Sequence, residues 1–331
     1  MTTTYGDISQ RTAAYAAADM LAHAEPVSVV AKFGLPKPLP KNKADTIKFR
    51  RPVPFSAVTV PLAEGVTPAA GSMSYEDVTV QLLQWGDLFS ISDKVEDMSE
   101  DPVLKDMTML CGEQAQKTLE QLIWSKIKAG TNVAYANGAA RTDVNTALSL
   151  NDVRKAVRYL QSMKAKKLTR MLSASVNIGT TPIEAAYVAF THTDLQADIR
   201  ALTGFTPVAE YGSRMPLCAE EFGTVEDVRF ITSPELTSFP DAGGLDGNVV
   251  LSTTGTNADV YPIVIVGQDA YGMVPLKGAG AIVPTVINPD TRDKSDPLGQ
   301  RGYVGWKTWF QATILNQTWI YRLEAAASEL T

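Results

Sequence analysis

The sequence predicts an α+β fold. Three observations carry that reading: a long hairpin pattern in the first hundred residues, one long helical pattern directly after it, and short strand and helix signals beyond residue 130 without strict strand–helix–strand alternation or internal repeat. A hairpin with little hydrophobic cover, feeding a single long helix, is an unusual opening for an enzyme. It suits a subunit that reaches across its neighbours.

The elements follow in order. Residues 9–24 are Ala-rich, with Ser9 as a candidate cap and Pro26 beyond the end, and predict a helix. The run Leu35-Pro36-Lys37-Pro38-Leu39-Pro40 cannot make a regular ladder and is expected to be extended. Residues 1–45 therefore read as an arm. Residues 46–51 predict a strand with Ile47, Phe49 and Arg51 on one face and Lys48 and Arg50 on the other. Pro52, Pro54 and Pro61 lead to a small-residue tip at 65–74, and a second strand is expected over 75–92, with Val78, Val80 and Leu82 sharing a face. A two-stranded hairpin is marginal alone and needs a surface to lie on. Residues 101–129 then predict the long helix. Ser99 or Asp101 caps it, Pro102 suits the first position and Gly130 the stop. Its stripe is Val103, Met107, Leu110, Cys111, Ala115, Leu119, Leu122, Ile123 and Ile127.

Beyond Gly130, residues 131–148 suggest a turn or hairpin. A helix from Asn151 or Asp152 to about 165 carries Val153, Ala156, Val157, Leu160 and Met163 on one side. Strands are expected at 171–178, 228–231, 261–266 and 280–286, and a strand pair over 306–320. A short helix at 195–202 is capped by Thr193 or Asp194 and stopped by Gly204; 243–247 is a loop. Trp306, Trp309 and Trp319 are expected in the core. The chain divides into an arm (1–45), an extended loop hairpin (46–92), a region built on the long helix (93–130), a compact middle (131–285) and a return segment (286–331).

Composition excludes several function classes. The 331 residues carry a formal net charge of -6, which argues against tight charge-driven binding of nucleic acid. No apolar run approaches the roughly 18–20 residues that span a bilayer, and the N-terminus reads as no secretory signal. Two cysteines, Cys111 and Cys218, make no disulfide framework, and Cys111 is expected to be a buried thiol. Inside this acidic chain, Lys32, Lys37, Lys41, Lys43, Lys48, Arg50 and Arg51 make residues 32–51 locally basic. That stretch is either a solvated face or a contact with an acidic patch on another subunit.

Catalytic signatures are lacking. His23 and His192 sit in no ligand-spaced cluster, and there is no nucleophile elbow or phosphate-binding glycine loop; Gly278 and Gly280 lack the third glycine of a dinucleotide fingerprint. Asp290, Asp293 and Asp296 could suit a hard cation, but Arg292 and Lys294 interleave to neutralise them. No enzyme activity, cofactor or metal is expected.

The stretch Asp296-Pro297-Leu298-Gly299-Gln300-Arg301-Gly302-Tyr303-Val304-Gly305-Trp306-Lys307 resembles the C-terminal signature of major capsid proteins of tailed bacteriophages, in the family named after coliphage N-four. Tyr5-Gly6-Asp7-Ile8 with Arg11 and residues 13–18, the stretch 41–55, and residues 223–230 are similar to that family as well. The resemblance spans essentially the whole chain. It implies the Hong Kong 97-type (Johnson) coat fold, with an N-terminal arm, an extended loop, a peripheral domain carrying a long spine helix, and an axial domain. On this chain 131–285 would be mainly axial, and 286–331 would return to the peripheral domain. It also implies pentamers and hexamers forming an icosahedral shell around double-stranded DNA, held by confinement, in a virion assembled in the host bacterial cytoplasm. Scaffold, portal and decoration proteins are implied partners, and no membrane is. An encapsulin-like compartment enclosing a cargo enzyme is the alternative. A lysine–asparagine cross-link occurs in one relative of that fold; nothing aligns Lys43 or Lys48 with Asn316 for it, and it is not carried over. A fused N-terminal scaffolding segment is not expected. The residues expected at subunit contacts are Lys48, Phe49, Arg50 and Arg51 on the hairpin and Glu64, Gly65, Gly71 and Met73 at its tip, with hinges near Gly34, Gly65, Gly71 and residues 93–99.

Overall fold

A computed structural model describes residues 28–62, 64–65, 67–94, 103–173, 179–212, 214–247, 249–277, 282–289, 291–292 and 296–330. In chain order the first elements are β1 (Leu35–Pro36), β2 (Thr46–Pro52), β3 (Tyr75–Gln81), β4 (Leu83–Ser92), α1 (Val103–Ile127), β5 (Val133–Tyr135) and α2 (Leu150–Ser162). There follow β6 (Leu168–Ser173), β7 (Gly179–Thr191), α3 (Gln196–Arg200), β8 (Phe205–Pro207), β9 (Glu221–Val225), β10 (Val228–Thr232), β11 (Val260–Val266), β12 (Tyr271–Pro275), β13 (Val283–Ile287), β14 (Arg301–Ile314) and β15 (Ile320–Ala326). The expected helix at 9–24, the caps at 99–102, His23 and the glycines at 278 and 280 lie outside the described residues.

β2 and β3 pair antiparallel from Thr46↔Gln81 to Pro52↔Tyr75. The alternation read from sequence holds: Ile47 and Phe49 turn inward, Lys48 and Arg50 outward. The base of the hairpin has more apolar cover than the sequence suggested. Ile47, Phe49 and Val78 pack with buried Leu39, Val80, Leu82 and Val274. The expected single strand over 75–92 is broken at Leu82, whose amide donates to the Asp45 carbonyl at 2.9 Å. Residues 83–92 then leave the hairpin. β4 runs antiparallel to β14, from Leu83↔Phe310 to Ser92↔Arg301. On the opposite edge of β14 lie β13 and β12, and β1 adds parallel to β12. Trp85, Gly86 and the residues after them thus belong to the body.

The second sheet has the strand order β5-β15-β11-β7-β10-β9-β8, with β6 beside β7. Every residue of β11 and β10 is buried, because both faces of the sheet are covered. One face packs on α2 through Val153, Ala156 and Leu160 against Tyr187, Phe230, Ile263 and Leu323. The other packs Phe190, Ile231 and Val264 against Ile123, Trp124 and Ile127 of α1. The opposite end of α1 seats Cys111 and Ala115 on Val304 and Trp306 of the five-stranded sheet. At 25 residues α1 is about 37 Å long. It is a spine that touches both sheets.

Several local expectations need correction. Leu110 is 63% exposed and lies off the buried stripe of α1. Of the turn or hairpin expected over 131–148 the turn is present, a 3₁₀ turn at Arg141–Asp143, whereas β5 forms no hairpin and pairs parallel with β15. α2 starts one turn-residue earlier than expected, with Ser149 at its cap and the Asp152 carboxylate accepting from the Ser149 amide. Met163 falls beyond the end of α2 and is exposed. His192, not Thr193 or Asp194, caps the following turn, its Nδ1 accepting from the Asp194 amide. Trp306 is buried, but Trp309 lies on the opposite face of β14 and is 39% exposed. Strands β7, β8, β9 and β12 were not expected, and the strand pair expected over 306–320 is instead one strand, β14, followed by β15 in the other sheet.

Candidate inter-subunit surface

Beyond Pro52 the hairpin stops being a ladder. Val53 donates its amide to the Ser74 carbonyl at 3.0 Å. Past that bond, residues 54–62 and 67–73 form no further backbone hydrogen bond among the described residues. Pro54 and Pro61 explain part of this, since they have no amide to donate. Every described residue from 52 to 77 is exposed. Among them are Phe55 (73%), Val58 (87%), Val60 (73%) and Leu62 (75%). Fully burying a side chain of this kind is worth about 1.5–3 kcal/mol, so four of them could contribute on the order of 6–12 kcal/mol gross to an association. That exceeds what scattered exposed apolar residues amount to on an ordinary surface. The tip is an uncovered apolar strip on an extended backbone.

The tip residues named from sequence lie just beyond this strip, on the same exposed segment. Glu64 and Gly65 form its turn, Gly65 at φ +74°, a conformation that favours glycine. A Cβ at Gly71 would meet nothing within 4 Å, and Met73 is 54% exposed. The hairpin residues divide differently. Phe49 turns into the apolar cluster under the hairpin. Arg50 grips Asp77 with two bonds, 2.7 and 3.0 Å, and lies 5.3 Å over the Tyr75 ring. Lys48 stands 3.6 Å from the same carboxylate, and Arg51 Nε donates to Glu76 at 2.8 Å. The hydrogen bonds from Arg50 hold the Asp77 carboxyl below its ordinary range. The acids that meet these cations are thus the cross-strand neighbours in the same ribbon. Lys32 pairs with Glu220 at 3.2 Å, while Lys37, Lys41 and Lys43 stand exposed.

Sequence reasoning missed a second feature, Glu120 of α1. It is fully buried. Its carboxylate accepts from Ser28 Oγ (3.2 Å), the Val29 amide (3.1 Å) and the Val30 amide (2.8 Å). These groups begin a short 3₁₀ turn at Val30–Lys32 that lacks a side-chain cap of its own. Glu120 supplies the missing acceptor from another element. Tyr271, also fully buried, donates its hydroxyl to the Val30 carbonyl at 2.6 Å. The segment after residue 27 is thereby fixed to the middle of the spine. Burial pushes the Glu120 carboxyl upward, and no cation pairs with it among the described residues. An acidic residue beside Leu119 and Ile123 on the apolar stripe was the available signal.

Among the described residues no group of three or more His, Cys, Asp or Glu could hold a metal ion. Asp290 and Asp293 lie outside the described residues, and Asp296 accepts from the Arg301 amide at 2.9 Å. Cys111 is buried and Cys218 half-buried; both are free thiols, raised by burial. No helix of the described residues is long and apolar enough to cross a membrane.

The family described as phage capsid protein matches residues 75–322. A major capsid protein of Pseudomonas phage KPP21 is 20% identical over 233 residues, which cover 64% of this chain and 58% of that protein's length. The structure is similar to the capsid of Ralstonia phage GP4, with a TM-score of 0.66 at 13% identity, covering 92% of each chain. It is also similar to the capsid of cyanophage Pam1, with a TM-score of 0.61 at 12% identity over 88% of this chain and 87% of that one.

Proposed function

The chain belongs to the phage capsid protein family, and from that premise we propose that it is a major capsid protein whose work is assembly. Its copies form pentamers and hexamers and close an icosahedral shell around double-stranded phage DNA. The fold is of the Hong Kong 97 type, in the family named after coliphage N-four. Residues 1–45 act as the arm, 46–81 as the extended loop and α1 as the spine of the peripheral domain, with 83–92 part of the body's five-stranded sheet. The eight-stranded sheet forms the axial domain, to which β15 belongs, while β13 and β14 return to the peripheral side. Lys48, Arg50, Arg51, Glu64, Gly65, Gly71 and Met73 touch neighbouring copies, and Phe49 supports them from below.

The observation that carries this reading is the uncovered apolar strip at 53–62, held out on a ribbon whose base is packed on the body. Among the described residues of the same chain nothing covers it. Each inter-subunit contact can be weak, because every copy is held by several neighbours at once. The net charge of -6 suits DNA retained by confinement, since an acidic lining does not grip phosphates. The protein is proposed to have no catalytic role and no cofactor, to be assembled in the host bacterial cytoplasm and to reside in the virion. Scaffold, portal and decoration proteins are its further partners. No observation favours the encapsulin-like alternative.

Deleting residues 60–74 tests the reading. The deletion leaves β2, β3 and the body intact, so the chain should fold and stay soluble but fail to close shells. Shells of normal size from the deleted chain would refute the interface role given to the hairpin tip.

A further inference from the structure

The sheets of this molecule mostly end in short strands. β5 and β8 close the larger sheet with three residues each, and β1 and β13 end the smaller one with two and five. β4 is different. It has ten residues and pairs with β14 along one side only among the described residues. A free edge of that length offers a row of unpaired amides and carbonyls, which proteins usually blunt with charge, proline or cover. β4 carries one charge, Asp87, and that carboxylate is already engaged by Gln114 at 2.7 Å and by the Leu88 amide at 2.9 Å.

The face beside this edge is also prepared for contact. On the side of the sheet away from α1, Gly86 and Gly305 leave the floor bare. A Cβ at Gly305 would stand 2.5 Å from the Asp87 carbonyl oxygen, and one at Gly86 would stand 2.4 Å from that of Trp306. The result is an open depression of about 500 Å³, bordered by Leu88, Thr285 and Lys307. Leu88 is 57% exposed at its rim.

The described residues include a segment complementary to such an edge. Residues 55–60, Phe-Ser-Ala-Val-Thr-Val, are uncharged, β-prone and bounded by Pro54 and Pro61. They are exposed and form no backbone hydrogen bond among the described residues. They pair with no strand of their own copy among the described residues. The seven-residue ladder of β2 and β3 holds them about 23 Å from the hairpin base, where β4 begins.

We propose that residues 55–60 of one copy add as an edge strand to β4 of a second copy. This rests on the coat-protein reading and names the surface that receives the strip. Backbone pairing supplies the bonds missing on both partners, and one alternate set of side chains, Val58 and Val60, lies over the bare floor beside Leu88.

Double-cysteine variants test this directly. Ser56, Val58 or Val60 is paired with Gln84, Leu88 or Ser90, each changed to Cys, and assembled particles are oxidised with copper–phenanthroline. At least one pair should give a ladder of linked chains, at least tenfold above either single-cysteine control. A second variant, Thr59→Pro, removes an amide from an exposed, unbonded position. It should leave the subunit folded and abolish assembly. Normal shells with no pair above control, or normal shells from T59P, would overturn the edge pairing and leave the coat reading standing. Failure of the unmodified chain to assemble under any condition would overturn both.

Discussion

Glu120 offers the sharpest quantitative handle on the subunit. Replacing it with Ala strands Ser28 Oγ and the amides of Val29 and Val30, all buried and all bonded to this one carboxylate. Three lost bonds at roughly 1 kcal/mol each give a loss of about 3 kcal/mol, reduced somewhat because an unpaired buried charge disappears as well. Glu120→Gln keeps an acceptor for both amides and can donate to Ser28, so it should stay within about 1 kcal/mol of the parent. The pH dependence separates the two effects. Burial raises the Glu120 carboxyl in the folded chain. The folded state therefore holds this proton more tightly than the unfolded one. The resulting stabilisation is complete below the ordinary glutamate value of about 4.3 and is lost as pH rises through the raised folded value. Urea unfolding of the unassembled chain across that window should show the parent losing stability relative to E120Q as pH rises. Hydrogen exchange at Val29 and Val30 should be fast in E120A and slow in E120Q. Equal behaviour of E120A and E120Q, or parallel pH profiles for the parent and E120Q, would refute the proposed anchor.

Other perturbations test the packing. Trp306→Ala empties the contact between β14 and Cys111 and Ala115 and removes an indole bond to Gln114, so it should cost about 3–5 kcal/mol in urea unfolding. Trp309→Ala, on the exposed face, should stay within about 0.5 kcal/mol. Gly305→Val drives a side chain into the Asp87 carbonyl and should cost about 1–3 kcal/mol and raise amide exchange along β4. Cys111 should resist alkylation at pH 8 in the folded chain, and Cys218 should react slowly because burial and Glu220 push its thiol up to about 12. Free-thiol rates at either would contradict the packing described.

The parts of this architecture that were legible in the sequence are those governed by local pattern. Alternation placed Ile47 and Phe49 on one face, and spacings of three and four placed Cys111, Ala115, Ile123 and Ile127 on the spine's buried side. What escaped depends on distant partners. β7 begins with small and polar residues and a proline that pair with β6, and only its second half, from Tyr187, is held between β10 and β11, which lie far along the chain. β9 and β12 carry Gly223 and Gly272, which dilute the strand signal, and their identity comes from neighbouring ladders. The division of 75–92 at Leu82 was invisible for the same reason, since only β14 gives residues 83–92 their partner. At the candidate surface, the tip residues could be named from prolines and glycines alone. The pairing of Arg50 with Asp77 and Arg51 with Glu76 required the register of the ribbon, and Glu120 required knowing what lies against the spine.

The most direct test of the central claim is electron microscopy of the chain expressed alone and with phage lysate supplying any scaffold. Closed particles tens of nanometres across, with five- and six-membered rings of this subunit in their walls, are the predicted result. A discrete small oligomer under both conditions, with no shells or rings, would contradict the account.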